Sequence, residues 1–274
     1  MSGISIRVPK LDRIFDAVLV RPPATRYFAC VSTHPDHDDI DVGLAKDQHR
    51  EYVSLLKAAG IGVIHLRPLE EFPDSVFIQD PGILGSSRAV IARFGEPSRR
   101  GEAEVFSDDL KTIDSEEIGE RGIIEAPGTL EGGDVLITPT ELFAGESGRS
   151  NRIGVDQLSR LLKGITVARV RTQLKHLLGA CTYLSNRTML VAPELVNPSS
   201  FPGFRFVNAP AEESYAANVL YLGEKRVLMA SGFPRTRSKL VEAGYVPEEV
   251  NLSEFQKGDG SVTCLCSPIY KGIF

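Results

Sequence analysis

A thiol, an imidazole and several carboxylates stand in this chain where glycine-rich segments would hold them rigidly. Cys264 follows Gly258-Asp259-Gly260-Ser261, so a glycine-flanked loop presents a sulfur. A lone cysteine with a histidine and a carboxylate elsewhere in the chain is the usual form of a cysteine-dependent active site. Taken alone, such a thiol is more commonly a small buried residue, and Cys30, Cys181 and Cys266 are left to that reading. His176 opens His176-Leu177-Leu178-Gly179 and, by itself, is more commonly a structural histidine than a base. Leu130-Glu131-Gly132-Gly133-Asp134-Val135 is more specific, because two glycines between two carboxylates ahead of an apolar run mean tight backbone with placed acids. Phe72-Pro73-Asp74-Ser75-Val76-Phe77-Ile78-Gln79-Asp80-Pro81 has the same character and suits a cationic substrate. His34 and His37 have the look of metal ligands, but Pro35 between them breaks any fixed ligand spacing and favours a solvated loop.

These residues need a framework, and the hydropathy pattern supplies one. A short apolar strand, a polar turn, a second apolar strand, a helix-like segment and a further strand recur along the chain. The second strands are clearest at 89–94, 141–144, 188–192 and 227–230, each after a turn rich in Ser, Asn, Gly or Pro. Amphipathic helical spacing follows at 103–110, 154–162 and 237–243, and earlier at 42–59, where Gly60 is placed to cap the helix. Single strands close the units at 63–66, 122–125 and 166–170, with a weaker one at 246–252. Hairpins recur at roughly fifty residues, a period associated with propeller-like arrays; an open α/β sheet is the alternative. A fifth unit then has to be shared, with Val262 to Cys266 as its first strand and Ala17 to Val20 as its second.

Composition narrows the classes. The chain has 274 residues, 42% apolar and 24% charged, which is ordinary globular usage and excludes intrinsic disorder. With 31 basic and 36 acidic residues the net charge is −5, and no basic run offers a stripe for nucleic acid. No apolar stretch reaches the roughly 18 residues of a membrane span, and the N-terminal segment has no apolar core of a signal peptide, so a cytoplasmic location is expected. Four cysteines in a chain of this length do not make a disulfide scaffold, and Cys264-Leu265-Cys266 lacks the further ligands of a zinc site.

The ordered segments FPDSVFIQD, RFGEPSRRGE, LEGGDVL, AGESGRSNRIG, HLLGACTYL and GDGSVTCLC together resemble the dimethylarginine dimethylaminohydrolase (dimethylargininase) family of the guanidine-modifying pentein superfamily. The likeness runs over essentially the whole chain. It implies an α/β fold, a five-bladed α/β propeller of ββαβ modules with pseudo-fivefold symmetry, formed by one domain over 1–274. It implies Cys264 as nucleophile, His176 as catalytic histidine and Glu131 as its partnering acid. Asp74, Gln79 and Asp80 would contact the substrate guanidinium and backbone. Arg99 and Arg149 would bind the substrate carboxylate, and the Gly258 backbone would meet the amino-acid end. The implied partner is a small guanidino amino acid, with no cofactor and no catalytic metal; homodimerisation stays open, and a thiol, imidazole and carboxylate in one pocket could take zinc as an inhibitor.

The implied reaction is hydrolysis of Nω-methylated arginine to citrulline and a methylamine through a thiouronium on Cys264. A guanidinium is resonance-stabilised, so it must be held by carboxylates while a soft nucleophile attacks its central carbon. The family usually has Glu-Asp where this chain has Gln79-Asp80, which removes one charge facing the guanidinium. Arginine deiminases typically carry an acid two residues after the histidine; here that position is Leu178, which counts against plain arginine. The alternatives are therefore a hydrolase of another guanidine or of arginine, then an amidinotransferase, and last a non-catalytic propeller that binds a partner.

Overall fold

The hairpin-and-helix repeat is built as five three-stranded units. A computed structural model of the chain describes residues 12–113, 118 and 120–273. The signal-peptide reading of the N-terminus falls mostly on residues 1–11, outside that range. The chain first lays down β1 (Phe15–Val20), α1 (Val42–Ala58) and β2 (Gly62–His65), then a complete unit, β3 (Gly82–Gly85), β4 (Arg88–Ile91), α2 (Arg100–Thr112) and β5 (Glu120–Ile123). The next unit is β6 (Val135–Ile137), β7 (Leu142–Glu146), α3 (Arg152–Leu161) and β8 (Val167–Arg171). A helix-free unit follows, β9 (Cys181–Tyr183), β10 (Thr188–Val191) and β11 (Arg205–Asn208); then come β12 (Val219–Gly223), β13 (Arg226–Ala230), α4 (Pro234–Glu242) and β14 (Val246–Val250). The short α5 (Ser253–Gln256) leads to β15 (Ser267–Tyr270).

In every unit the middle strand pairs antiparallel with the first and parallel with the third, as in Leu220↔Leu228 and Leu228↔Glu248. The remaining unit joins both ends of the chain, because β1 pairs antiparallel with β15 and parallel with β2. A parallel β15–β3 pairing fuses two units into one six-stranded sheet, while the other three stand as separate three-stranded sheets. The expectation of a terminus-sharing unit holds, with one correction. Val262 to Cys266 is not a strand: Thr263–Leu265 is a single 3-10 turn, and the first strand starts at Ser267. The apolar residues of that segment are buried by the turn instead, and Asn218 from another unit takes up its backbone.

Local chemistry accounts for the elements. Asp41 caps α1 by accepting from Leu44 N at 3.0 Å, and α1 buries Ala45, Gln48, His49, Tyr52, Val53 and Leu56, a helical stripe. Gly60 (φ 68°) then ends the helix, with Ile61 N reaching back to Leu56 O at 3.1 Å. The 9–10 and 12–13 hairpins turn through Asn186-Arg187 and Glu224-Lys225, both pairs at positive φ, the twist that two-residue hairpins favour. Helix faces pack on the sheets in clusters such as Phe106 and Leu110 against Leu84, Ala89 and Ile91. The first strands β6, β9, β12 and β15, with Phe15 of β1, line an interior cavity of about 50 Å³ with mainly apolar walls. Among the described residues no helix is long and apolar enough to cross a membrane.

Candidate active site

Each unit is entered through a short loop before its first strand, and those loops converge. The loop before β3 carries Asp74, Gln79 and Asp80; the loop before β6 carries Glu131 and Asp134. His176 precedes β9, Asn218 precedes β12, and Cys264 precedes β15. These loops line a cavity of about 330 Å³ whose wall includes Asp74, Gln79, Asp80, Arg99, Arg149, His176, Gly258 and Cys264. Every site residue implied by the family resemblance therefore borders this cavity except Glu131, which lies behind the His176 ring and is fully buried; Asp134, His34 and His37 do not border it.

Glu131 holds the imidazole from behind. His176 Nε2 lies 2.7 Å from Glu131 Oε2, while Glu131 Oε1 accepts from Gly95 N at 2.9 Å and Arg149 Nη1 stands 3.7 Å away. On the other side of the ring, Asp80 Oδ1 is 3.7 Å from His176 Nδ1. Burial disfavours a charged imidazole, but the Asp80 charge and the Glu131 hydrogen bond outweigh it, so the His176 pKa is raised. Burial likewise works against the Glu131 carboxylate, yet the bond to His176 and its charge hold Glu131 well below the usual carboxylate range. The pair is an imidazolium with a carboxylate at neutral pH.

The two glycines after Glu131 are there because nothing larger fits. A Cβ on Gly132 would sit 2.0 Å from Gln79 O, and one on Gly133 would meet Asp80 Oδ1 and the His176 ring at 2.8 Å. Asp134 supports the same arrangement from below: it accepts from Ser147 Oγ (2.7 Å), Ser150 Oγ (2.6 Å) and Leu177 N (2.8 Å), tying the Glu131 turn to the residue after His176.

Cys264 sits in the 3-10 turn with its N–H directed to Ser261 O, partly open to the cavity. Desolvation by the surrounding protein, with the Asp80 charge added, pushes its thiol up to about 12, so the free protein carries a neutral thiol. Asn218 aligns this turn with the histidine loop. Its Oδ1 accepts from Thr263 N (2.9 Å) while its Nδ2 donates to Thr263 Oγ1 (2.8 Å) and Leu178 O (3.0 Å). No motif singled out Asn218, because its partners lie 40 and 45 residues away in sequence.

Charge in the wall is arranged around Arg99. Its guanidinium donates to both Glu102 oxygens (2.9 Å each), to Asp80 Oδ2 (2.8 Å) and to Asp74 O (3.4 Å), engaging four of its five N–H groups. Asp74 accepts from Val31 N at 3.1 and 3.2 Å, which draws the 31–33 segment over the cavity. Three buried atoms of the wall, Gln79 Oε1, Asp80 Oδ1 and Arg149 Nη1, have no hydrogen-bond partner. Unpaired buried polar atoms are costly unless a ligand satisfies them.

The set of Asp80, Glu131 and His176 is the one group among the described residues whose ligand atoms lie close enough to hold a metal ion together. His34 and His37 do not join such a set; His37 opens a 3-10 turn, with its Nε2 3.8 Å from Cys30 Sγ. The four cysteines are free thiols.

Comparison with known proteins adds independent findings. The family described as N,N dimethylarginine dimethylhydrolase, eukaryotic, matches residues 32–197. An uncharacterised protein of Aeropyrum pernix is 41% identical, with 94% of this chain and 97% of that protein covered. The N(G),N(G)-dimethylarginine dimethylaminohydrolase of Pseudomonas aeruginosa is 37% identical over 92% of this chain and 98% of its own length. The crystal structure of a Cys-to-Ser mutant of that Pseudomonas enzyme complexed with citrulline superposes with a TM-score of 0.86 at 35% identity, covering 94% of this chain and all of that one.

Proposed function

The chain belongs to the dimethylarginine dimethylaminohydrolase family and is a cysteine-dependent hydrolase, and from that premise we propose that its substrate is an Nω-methylated arginine, cleaved to citrulline and a methylamine. The observation that carries the reading is the pair of orphaned acceptors, Gln79 Oε1 and Asp80 Oδ1, in one cavity with a thiol and an imidazolium. A guanidinium offers the N–H donors that those acceptors lack, and the citrulline held by the Pseudomonas relative is the matching product.

In this reading Asp80, with Asp74 and Gln79, holds the guanidinium against Cys264. A cation beside the sulfur offsets the burial that keeps it protonated, so the thiol loses its proton to solvent as substrate binds. The thiolate attacks the central guanidinium carbon and a C–S bond forms. The bond to the methyl-bearing nitrogen breaks as His176 gives its proton to the departing amine, which leaves a thiouronium on Cys264. His176, now neutral, takes a proton from water as the oxygen attacks the same carbon. The C–S bond breaks, the sulfur departs with the second water proton, and citrulline and the starting imidazolium remain. Glu131 is a positioning residue that keeps the ring oriented and charged. Arg149, with an unsatisfied Nη1, contributes to binding of the substrate carboxylate, while Arg99, with one N–H left, acts mainly as counter-ion to Asp80 and Glu102. The Gly258 backbone faces the amino-acid end.

We also read the five units as blades of one α/β propeller in a single domain over 1–274. The reading is supported by the interior cavity that four of the first strands share, the terminus-sharing unit and the five converging loops. It implies one cooperative unfolding transition.

Gln79 favours a second reading, hydrolysis of a differently substituted guanidine or of arginine, because an amide there both accepts and donates. Citrulline and released amine measured with dimethylarginine, monomethylarginine and arginine decide between them. Turnover of arginine without dimethylarginine overturns the first. Cys264→Ser abolishes turnover while citrulline binding persists; full activity in that variant overturns the mechanism.

A further inference from the structure

A second cavity, of about 370 Å³, shares no residue with the catalytic one and is built on α1. The helix supplies His49, Arg50, Val53, Ser54 and Lys57, which fall on successive turns and so share one face. Pro22, just past β1, and His65, the last residue of β2, complete the wall. His49 and Val53 are buried, while Arg50, Ser54, Lys57 and His65 are exposed, so an imidazole forms the floor and the cations form the rim.

The wall carries two permanent cations and no carboxylate, in a chain whose net charge is −5. Arg50 pairs with Asp47, one turn back, where both side chains are more than half exposed and the pair contributes little. Among the described residues Lys57 Nζ has no hydrogen-bond or ion-pair partner. His49 supplies the independent observation that points to a ligand. Its Nε2 is buried without a hydrogen-bond partner, in a residue only 3% exposed. Burial, with His65 nearby, lowers the His49 pKa to about 4 against a smaller opposing effect of the Arg21 backbone, so the free ring is neutral. A neutral imidazole presents one donor and one acceptor, and a buried polar atom left unpaired is costly unless a ligand satisfies it.

This donor set discriminates among anions. A carboxylate brings one charge and acceptors only. A phosphate group at neutral pH brings up to two charges for the two cations, oxygens that suit the arginine fork, and in the free ion a P–OH that can donate to Nε2. We propose that the cavity on α1 is a binding site for a phosphate group, as the free ion or as the monoester of a small molecule: Arg50 and Lys57 hold its charge, Ser54 donates its hydroxyl, and His49 Nε2 gains its missing partner. The site is separate from the guanidine chemistry and stands or falls independently of the substrate.

The test is calorimetric titration of the full chain at pH 7 and matched ionic strength with inorganic phosphate, glycerol 3-phosphate and acetate. Phosphate or its ester is expected to bind at least about 10-fold more tightly than acetate, the worth of one further charge-assisted contact. Tighter binding of the ester identifies a small phosphorylated molecule as the ligand, and tighter binding of phosphate identifies the free ion. Lys57→Met and Arg50→Met, both exposed and so free of folding cost, each weaken binding roughly 10- to 100-fold, while Arg149→Met in the catalytic cavity leaves it unchanged. The His49 imidazole nitrogen resonances shift with the same midpoint as the heat. Absence of binding, equal binding of acetate, or loss of binding in Arg149→Met but not in Lys57→Met overturns the proposal. His49 resonances that stay fixed while phosphate binds overturn it as well, because the contact is then to the rim alone.

Discussion

The protonation state of Cys264 gives the sharpest prediction. With its thiol held at about 12, only about one molecule in 10⁵ carries the thiolate at pH 7, which is too few for a resting nucleophile. The two effects that raise it, desolvation and the Asp80 charge, are both countered by a guanidinium lodged beside the sulfur. A unit positive charge about 4 Å from the sulfur, at an effective dielectric near 20, contributes about 4 kcal/mol, which corresponds to about three pH units. The assay is the ultraviolet absorbance of the thiolate, titrated as the difference between native protein and Cys264→Ser so that Cys30, Cys181 and Cys266 cancel. Without ligand, Cys264 is expected to stay protonated through pH 10. With saturating methylguanidine, its midpoint falls to about 9. A ligand-free midpoint below 8, or a midpoint that ignores the cation, would refute the argument that substrate charge generates the nucleophile.

Three further outcomes follow from the site. His176 is raised to about 9 from its ordinary value near 6.5, so its charged pairing stabilises the fold fully below about 6.5 and is lost as pH rises through about 9. The loss is about 3 kcal/mol on that shift, read as a falling urea midpoint, and Glu131→Gln should flatten the fall. Gly133→Ala drives a methyl into Asp80 and the His176 ring, both at 2.8 Å; citrulline formation should drop at least about 100-fold while the far-ultraviolet dichroism is kept. Asn218→Ala removes three hydrogen bonds linking the Cys264 turn to Leu178, costing about 3 kcal/mol in urea unfolding together with most of the turnover.

Much of this site was legible in the sequence because its key residues come with local signatures. Glu131-Gly132-Gly133-Asp134 announces itself, since close backbone approach demands glycine and the acids flank it. The hairpins were legible through their turns, and α1 through its stripe of apolar residues and its Gly60 stop. What escaped depends on distant partners. Val262 to Cys266 has the apolar content of a strand, yet Asn218 captures Thr263 and bends the segment into a turn. Arg99 looks like a free cation in its motif; only the fold brings Asp80, 19 residues away, against it, while Glu102 one helical turn on takes two more donors. The Lys175, Asp259 and Thr33 cluster joins residues 84 and 226 positions apart, which no local pattern encodes.

The pairing of β1 with β15 has a consequence for how the protein is made. Leu19 waits for Ser267, about 250 residues later, before its sheet is complete. During synthesis the chain therefore carries an exposed strand edge at its beginning until the segment after Cys264 has emerged. The same event that seals that edge brings the sulfur against Asp80 and His176. An intermediate in which β15 has not yet docked thus has the loops of Asp80 and His176 without the Cys264 turn among them, and on the proposed mechanism covalent chemistry becomes available only once that strand is in place.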